Sequence, residues 1–154
     1  MTHKHIIGVI GGGNCTPEMA ELAEEVGREI ALGGAILICG GLSGVMEAAC
    51  RGAKTANGAT IGVLPGLRKS DANDYVDIPI VTGMSEARNI IIVRSADAVI
   101  AVGGEYGTLS EISFCLKLRV PVVGLKTWEV DPAVLKAETA EEAVRRVFDK
   151  IADG

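Results

Sequence analysis

The feature that most constrains the fold is a repeated order of segments: a short apolar run, then a cluster of glycines, then a stretch that begins a helix. The glycine clusters occupy positions 11–13, 40–44, 65–66 and 103–107. Apolar runs without polar alternation are typical of strands that are buried on both faces of a parallel sheet. Strands that alternate with helices predict right-handed crossovers, with helices on both sides of the sheet. The sequence therefore predicts an α/β fold of three layers, α/β/α, with a mostly parallel sheet.

The whole chain, residues 1–154, is predicted to form a single domain with one substantial core. The predicted strands cover 5–10, 35–39, 60–64, 77–81, 98–102 and 121–125. Helices are predicted over 16–32 and over 85–95, the second with Ser85 as its cap. Two more are predicted to end near 55 and 118, and a last one to begin at 139. In this architecture ligands bind at the carboxyl ends of the strands, where the four glycine clusters fall.

Composition excludes several classes of partner. Hydrophobic residues make up 48% and mean hydropathy is +0.33, but no apolar run approaches the roughly 20 residues of a membrane span. A net charge of −5 makes a nucleic-acid polymer an unsuitable partner, and 3% aromatic residues offer little for stacking bases. The N-terminus lacks a signal-peptide pattern, which together with unpaired cysteines predicts a cytoplasmic location. Those cysteines, which show no metal-binding spacing, are Cys15, Cys39, Cys50 and Cys115.

The segment from Gly103 to Glu111 predicts an anion site. It follows the predicted strand 98–102 and precedes an apolar helical run. Glycines let the backbone approach a ligand closely, and the first N–H groups of a helix point outward without partners. A phosphate there would also meet the positive end of the helix dipole. The candidate phosphate-binding residues are Gly103, Gly104, Tyr106, Gly107 and Thr108.

A structural interpretation of the same segment competes with the anion site. Thr108-x-x-Glu111 matches the capping box, in which Glu111 would merely close the start of a helix. Thr139-x-x-Glu142 repeats the spacing in a region with no other sign of chemistry. The preceding glycines favour the anion site, because a cap does not need them.

Familiar nucleotide motifs and metal motifs are missing. Gly11 and Gly13 begin a dinucleotide fingerprint, but Thr16 stands where the third glycine belongs, and no acidic residue follows the second strand. The chain also lacks the Walker pattern. His3 and His5 are expected to be ordinary strand residues, so the sequence predicts neither a metal site nor a bound cofactor.

Arg88 is placed unusually, since it falls in the first turn of a predicted helix, where the dipole disfavours a cation. This placement indicates that Arg88 serves an anion or a carboxylate. The nearby apolar segment 90–93 is open to two interpretations, a subunit interface or a buried helix.

At these residues the chain resembles the superfamily that is often mislabelled "lysine decarboxylase" and that includes the LOG cytokinin-nucleotide phosphoribohydrolases. The family pattern is M-H-x-R-K, then a strand, then P-G-G-x-G-T-x-x-E. Segment 84–89 of this chain corresponds to the first motif and segment 103–111 to the second. Segment 40–46 resembles the second glycine turn of the family. The resemblance implies a Rossmann-like fold, Arg88 and Glu111 as the catalytic pair, and a phosphate cradle. The cradle would include Gly104, Gly107 and Thr108. No lysine stands in a context suited to pyridoxal phosphate.

The chain also departs from the LOG pattern. Gly103 replaces the proline, Glu105 replaces the second glycine, and the histidine and lysine around Arg88 are missing. These departures resemble a sister branch that includes a molybdenum cofactor carrier protein. Glu105 would place a negative charge beside the expected phosphate.

Two functions of different class follow. In the first, the protein hydrolyses the N-glycosidic bond of a nucleoside 5′-monophosphate to give base and ribose 5-phosphate. Glu111 would stabilise positive charge at C1′ or position water, and Arg88 would orient Glu111 or the ribose hydroxyls. In the alternative, the protein is a non-catalytic carrier or sensor of a phosphorylated ligand such as molybdenum cofactor.

Both functions share one set of partners and contacts. The partner is a small phosphorylated ligand of nucleotide or pterin type, and the resemblance implies a homodimer or a higher homo-oligomer. Further candidate ligand contacts come from the other glycine turns and the arginine segment: Gly11, Gly12, Gly13, Gly40, Gly41, Ser43 and Met84.

Overall fold

The computed structural model describes residues 3–154; Met1 and Thr2, which precede the first predicted strand, lie outside the described residues. The strands are β1 Ile6–Gly11, β2 Ile36–Cys39, β3 Thr60–Leu64, β4 Ile78–Val81, β5 Ala98–Val102, β6 Val122–Leu125 and β7 Val134–Lys136. The helices are α1 Pro17–Leu32, α2 Val45–Thr55, α3 Asn89–Ser95, α4 Tyr106–Leu118 and α5 Ala140–Asp153. None of the helices in residues 3–154 is long and apolar enough to cross a membrane.

The strands form one sheet in the order β4-β3-β2-β1-β5-β6-β7, and every neighbouring pair is parallel. The predicted α/β fold with a parallel sheet is therefore confirmed. The chain builds outward from β1 to β4, then returns and builds β5 to β7 on the other side of β1. The strand order thus reverses between β1 and β5, which is where open parallel sheets bind ligands.

Helices cover both faces of the sheet. One buried cluster joins α1, α2 and α5 to the sheet, and the other joins α3 and α4 to it. Ile92 and Val93 of α3 lie fully buried in the second cluster, so these two residues of the segment 90–93 belong to the core of this chain. The layers follow from the apolar stripe that each helix buries.

Helices α1 and α2 contact each other through two glycines. A Cβ added to Gly27 would stand 1.8 Å from the carbonyl oxygen of Ala49, and one added to Gly52 would stand 1.8 Å from that of Glu24. Only residues without a side chain allow backbones to pack this closely. The contact holds α1 and α2, and therefore the turns that precede them, in one fixed arrangement.

The structure corrects two local predictions. Strand β7 was not predicted; its three residues are too few to show a pattern, and pairing with β6 defines it. Ser85 does not cap a helix. It begins a 3₁₀ turn, Ser85–Arg88, with φ of 54°, and its hydroxyl donates to Glu86 instead. An N-cap needs extended backbone, which this positive φ excludes, so α3 begins only at Asn89.

Candidate functional site

Helix α4 begins at the carboxyl edge of the sheet without a side-chain cap. Its first residue is Tyr106, and Glu105 before it makes no side-chain capping bond. Gly103 and Gly104 have φ of 55° and 105°. A Cβ on Gly104 would stand 2.3 Å from Oγ1 of Thr108, so the turn folds onto the helix only because this residue is glycine. The first N–H groups of α4 therefore remain available to a ligand.

The capping-box interpretation of Thr108 and Glu111 is wrong. Thr108 is the third residue of α4 and 2% exposed, and Glu111 lies a turn further in and is 7% exposed. Neither residue is at the position of a cap. In α5, by contrast, the Thr139 hydroxyl accepts the N–H of Glu142 at 3.1 Å, as a cap does.

A cavity of about 280 Å³, here called the chamber, lies where the strand order reverses. The turns after β1 and β2 form one wall, and α3 and α4 with the 3₁₀ turn form the other. The chamber brings together many of the residues singled out from the sequence: Gly11, Gly12, Gly13, Gly40, Arg88, Gly107, Thr108 and Glu111. Arg88 and Glu111, 23 positions apart in the chain, thus face one space.

The remaining sequence candidates lie outside the lining of the chamber. Gly103 and Gly104 line a neighbouring cavity. Tyr106 is 81% exposed and stacks on Trp128, and Met84 is 46% exposed. Two others hold the walls. The Ser43 hydroxyl donates to the carbonyl of Gly13 at 2.9 Å, and the N–H of Gly41 donates to Sγ of Cys39 at 3.3 Å.

Arg88 is 9% exposed and is held by the protein itself. Its Nε donates to the carbonyl of Val63 in β3 at 3.0 Å, and its guanidinium also donates to the side chain of Asn89. A Cβ on Gly40 would stand 2.6 Å from the guanidinium, so the β2 turn accommodates the arginine only as glycine. Burial lowers the pKa of Arg88, and the nearby Glu111 acts against that change. An arginine remains a cation at neutral pH even so.

Glu111 is 7% exposed and lines the chamber, and within residues 3–154 no fully buried side-chain nitrogen or oxygen lacks a hydrogen-bond partner. Burial raises the pKa of its carboxyl to about 8, although the charge of Arg88 opposes this. With this pKa, Glu111 is mostly protonated at neutral pH. Glu111 borders the space that a ligand would fill.

Several residues of the chamber, among them Asn89, Leu42 and Met46, were not candidates in the sequence analysis. Asn89 is 3% exposed; its amide donates to the Ser110 hydroxyl at 3.2 Å and its oxygen accepts from Arg88. Its only sequence signal was its position beside Arg88. Leu42 and Met46 supply apolar lining, and nothing in their local pattern distinguishes them from core residues.

Glu105, which replaces a glycine of the LOG pattern, also lines the chamber. Its carbonyl accepts the indole N–H of Trp128 at 3.1 Å, so the backbone of the turn is fixed from outside. The residues that line the chamber include three glutamates, Glu86, Glu105 and Glu111, together with Arg88. Within residues 3–154, no group of three His, Cys, Asp or Glu side chains could hold a metal ion.

Sequence comparison relates the chain to characterised and uncharacterised proteins. The sequence model described as the SLOG cluster4 family matches residues 4–151. An uncharacterized protein of Archaeoglobus fulgidus is 51% identical over 139 residues, which cover 90% of this chain and 91% of the relative. The cytokinin riboside 5′-monophosphate phosphoribohydrolase of Mycobacterium tuberculosis is 36% identical over 99 residues, 62% of this chain and 52% of that enzyme.

Solved structures agree over almost the full length. The molybdenum cofactor binding protein of Rippkaea orientalis superposes with a TM-score of 0.93 at 40% identity, covering 98% of this chain and 99% of that one. The Moco carrier protein of Chlamydomonas reinhardtii superposes with a TM-score of 0.90 at 38% identity, covering 99% and 100%. The superfamily resemblance seen in the sequence motifs is confirmed, including the branch that contains carrier proteins.

Proposed function

The chain belongs to the SLOG cluster4 family, and we propose that it is a carrier that binds a small phosphorylated ligand of pterin type, such as molybdenum cofactor, without cleaving it. The observation that carries this proposal is the uncapped start of α4 at a chamber that also holds a fixed Arg88. The likeness to molybdenum cofactor binding and carrier proteins supports the same ligand class. A cytoplasmic location, predicted from the sequence, is part of the proposal.

Three features of the site have a role in this function. The free N–H groups from Gly104 to Thr108 bind the phosphate, helped by the helix dipole. The Arg88 cation balances the charge of the ligand. The protonated Glu111 donates a hydrogen bond to the buried end of the ligand, whose ring edge offers nitrogen and oxygen acceptors. A bound ligand would therefore give the Glu111 carboxyl an acceptor on the chamber side.

The protonation of Glu111 favours a carrier over a hydrolase. The role that hydrolysis would give Glu111, stabilising positive charge at C1′, needs an ionised carboxylate, whereas a raised pKa suits only the general acid of such a reaction. With a pKa of about 8, the buried Glu111 is mostly neutral at pH 7 and supplies little of that charge. Hydrolysis of a nucleoside 5′-monophosphate remains the second candidate. It is favoured by the shared placement of Arg88 and Glu111 and by the phosphoribohydrolase relative.

One experiment separates the two functions. The purified protein is incubated with molybdenum cofactor and, separately, with a panel of nucleoside 5′-monophosphates; thermal stabilisation, free base and ribose 5-phosphate are measured. We expect stabilisation by molybdenum cofactor, no released base, and weaker binding in Arg88→Met and Glu111→Leu, whereas Glu111→Gln keeps a hydrogen-bond donor and should bind almost normally. Glu142→Gln, which changes a glutamate of a surface helix start, should bind normally.

Two other outcomes would change the conclusion. Release of base that is lost in both Arg88→Met and Glu111→Gln would establish the hydrolase. The absence of both stabilisation and product with every compound would overturn the proposal.

A homo-oligomer is also part of the proposal, supported by the edge strand β4. Ile78, Ile80 and Val81 of this strand are 51%, 43% and 38% exposed. An edge strand with an exposed apolar surface is usually covered, because it can otherwise pair with other chains. Light scattering should show at least a dimer for the wild type and a smaller species for Ile80→Lys. A monomeric wild type would contradict this part of the proposal.

A further inference from the structure

Two side chains, Asn89 of α3 and Ser110 of α4, connect parts of the site that the proposed function uses separately. The guanidinium of Arg88 donates to Oδ1 of Asn89. Nδ2 of Asn89 donates to Oγ of Ser110 at 3.2 Å, and the Ser110 hydroxyl donates to the carbonyl of Gly107 at 2.7 Å. Three hydrogen bonds in series thus run from the Arg88 cation to the first turn of α4.

This chain of hydrogen bonds can run in only one direction. A guanidinium has donors but no acceptor, so the atom of Asn89 that faces it is the amide oxygen. The amide NH₂ group therefore faces Ser110, whose oxygen accepts and whose hydrogen is left for the Gly107 carbonyl. A side chain at position 89 must accept at one end and donate at the other. Aspartate would only accept and leucine would do neither, whereas asparagine does both.

The chain is buried and is anchored at its far end. Arg88 is 9% exposed and Asn89 is 3% exposed. Nε of Arg88 donates to the carbonyl of Val63 at 3.0 Å, so the series extends from β3 to α4. Breaking one of these bonds would leave a buried polar atom without its partner, which is energetically unfavourable. The chain therefore ties the guanidinium to the first turn of α4.

We propose that Asn89 and Ser110 are positioning residues: they hold the Arg88 guanidinium and the first turn of α4 at one fixed separation. This inference rests on the proposed function, in which one ligand contacts both groups. Groups that folding has already placed bind a ligand more tightly, because less conformational entropy is lost when the ligand arrives. Ser110 does not line the chamber, so it acts on the ligand only through its neighbours.

The last bond of the chain also acts on the N–H of Thr108. The carbonyl of Gly107 and the N–H of Thr108 belong to the same peptide group. Hydrogen bonds in series polarise one another, so a donor on this carbonyl makes the N–H a stronger donor. Gly107 and Thr108 both line the chamber. Ser110 thus strengthens one of the groups to which the proposed function assigns the phosphate.

Ser113 provides a matched control within the same helix. Serine hydroxyls in helices commonly bond to a carbonyl one turn back, and this alone does not indicate a positioning role. The exposed Ser113 makes such a bond, donating to the carbonyl of Leu109 at 2.9 Å. The side-chain bonds of Asn89 lead to Arg88 and Ser110 instead.

Double-mutant cycles on the full chain test the connection. One cycle combines Arg88→Met with Ser110→Ala, the other combines Arg88→Met with Ser113→Ala, and urea denaturation gives each unfolding equilibrium constant. In the first cycle we expect the combined effect to depart from the product of the single effects by at least about threefold, because either substitution already breaks the chain. In the second cycle the effects should multiply within about twofold. Arg88→Lys, which lacks the planar fork of donors, replaces Arg88→Met if that variant does not fold.

Two further measurements separate a positioning role from a merely structural one. In an Asn89→Leu background the first cycle should lose its coupling, since the link is gone. Binding of molybdenum cofactor, measured by calorimetry, should weaken about three- to tenfold in Ser110→Ala. Ser110→Thr, which restores the hydroxyl, should return the affinity to near that of the wild type, and Ser113→Ala should leave it unchanged.

The possible outcomes are distinguishable. Coupling in the first cycle alone, with a loss of affinity that Ser110→Thr reverses, would establish the positioning role. If the two cycles show the same coupling, or if Ser110→Ala binds molybdenum cofactor as tightly as the wild type, the inference is overturned and the carrier function stands. If the wild type does not bind molybdenum cofactor, the carrier function is overturned, and the inference falls with it.

Discussion

Helices α4 and α5 each contain a threonine followed three residues later by a glutamate, and the two pairs are placed differently. In α5, Thr139 precedes the helix and caps it, and Glu142 forms a partly exposed ion pair with Arg146 at 3.3 Å. In α4, Thr108 and Glu111 lie inside the helix and are almost fully buried. The arginine that interacts with Glu111 also differs, because it comes from a separate element instead of the next turn of the same helix.

The difference originates in the residues before each pair. Gly103 and Gly104 take positive φ values, and this turn lets α4 begin two residues ahead of Thr108. The start of α5 has no such glycines, so its threonine stays at the cap position. A local spacing therefore has a meaning only together with the backbone conformation that precedes it.

The largest effect is expected from removing the glycine that creates this difference. Gly104→Ala should lower the free energy of unfolding by about 1–3 kcal/mol and abolish ligand binding, because φ is positive and the added Cβ would overlap Thr108. Gly107→Ala is the control: nothing lies within 4 Å of its Cβ, and it should change stability by less than about 1 kcal/mol. Urea denaturation measures both. Equal stability of the two variants would show that the turn does not determine the start of α4.

Substitutions of Glu111 and Glu142 should differ in how their effect on the free energy of unfolding depends on pH. The pKa of Glu111 is raised from 4.5 to about 8, so between these pH values the folded protein keeps a proton that the unfolded chain loses. Stability from this group therefore falls as pH rises through that range. Glu111→Gln should stabilise the protein on the order of 1–3 kcal/mol at pH 8 and little at pH 4.5.

The matched variant in α5 should behave in the opposite way. Glu142→Gln removes a partly exposed ion pair and should cost less than about 1 kcal/mol, with no gain at pH 8. Chemical denaturation across this pH range compares the two. A gain for Glu111→Gln that did not depend on pH would argue against a protonated carboxyl.

The smallest effect is expected at the α5 cap. Thr139→Ala should lower the free energy of unfolding by about 1 kcal/mol, because an N–H of α5 loses its acceptor, while Thr139→Ser should restore most of the loss. Neither variant should change ligand affinity, which calorimetry can measure. A change in affinity would mean that α5 is coupled to the site.

The fold could be predicted from sequence because it repeats. Each apolar run, glycine cluster and helix start predicted the same alternation of strand and helix, and together they predicted the parallel sheet. Strand β7 was too short to carry such a signal, and the conformation of Ser85 depends on a positive φ that no pattern of residue types specifies.

The candidate site could be predicted only in part. The glycine turns and the Arg88 and Glu111 motifs predicted a site at the edge of the sheet where the structure has the chamber. The burial of Arg88 depends on Val63, 25 positions away, and the neighbouring cavity depends on a loop after β6 that has no motif. Contacts between distant segments of this kind are not encoded in local spacing.

The attachment of Arg88 to β3 has a consequence for loading and release. Restricting a free arginine side chain costs up to about 2 kcal/mol of conformational entropy, and here folding has already restricted it. A ligand would then meet a cation that folding has already positioned. For the proposed carrier, such a rigid template would allow release of the ligand without rearrangement of the charge that held it.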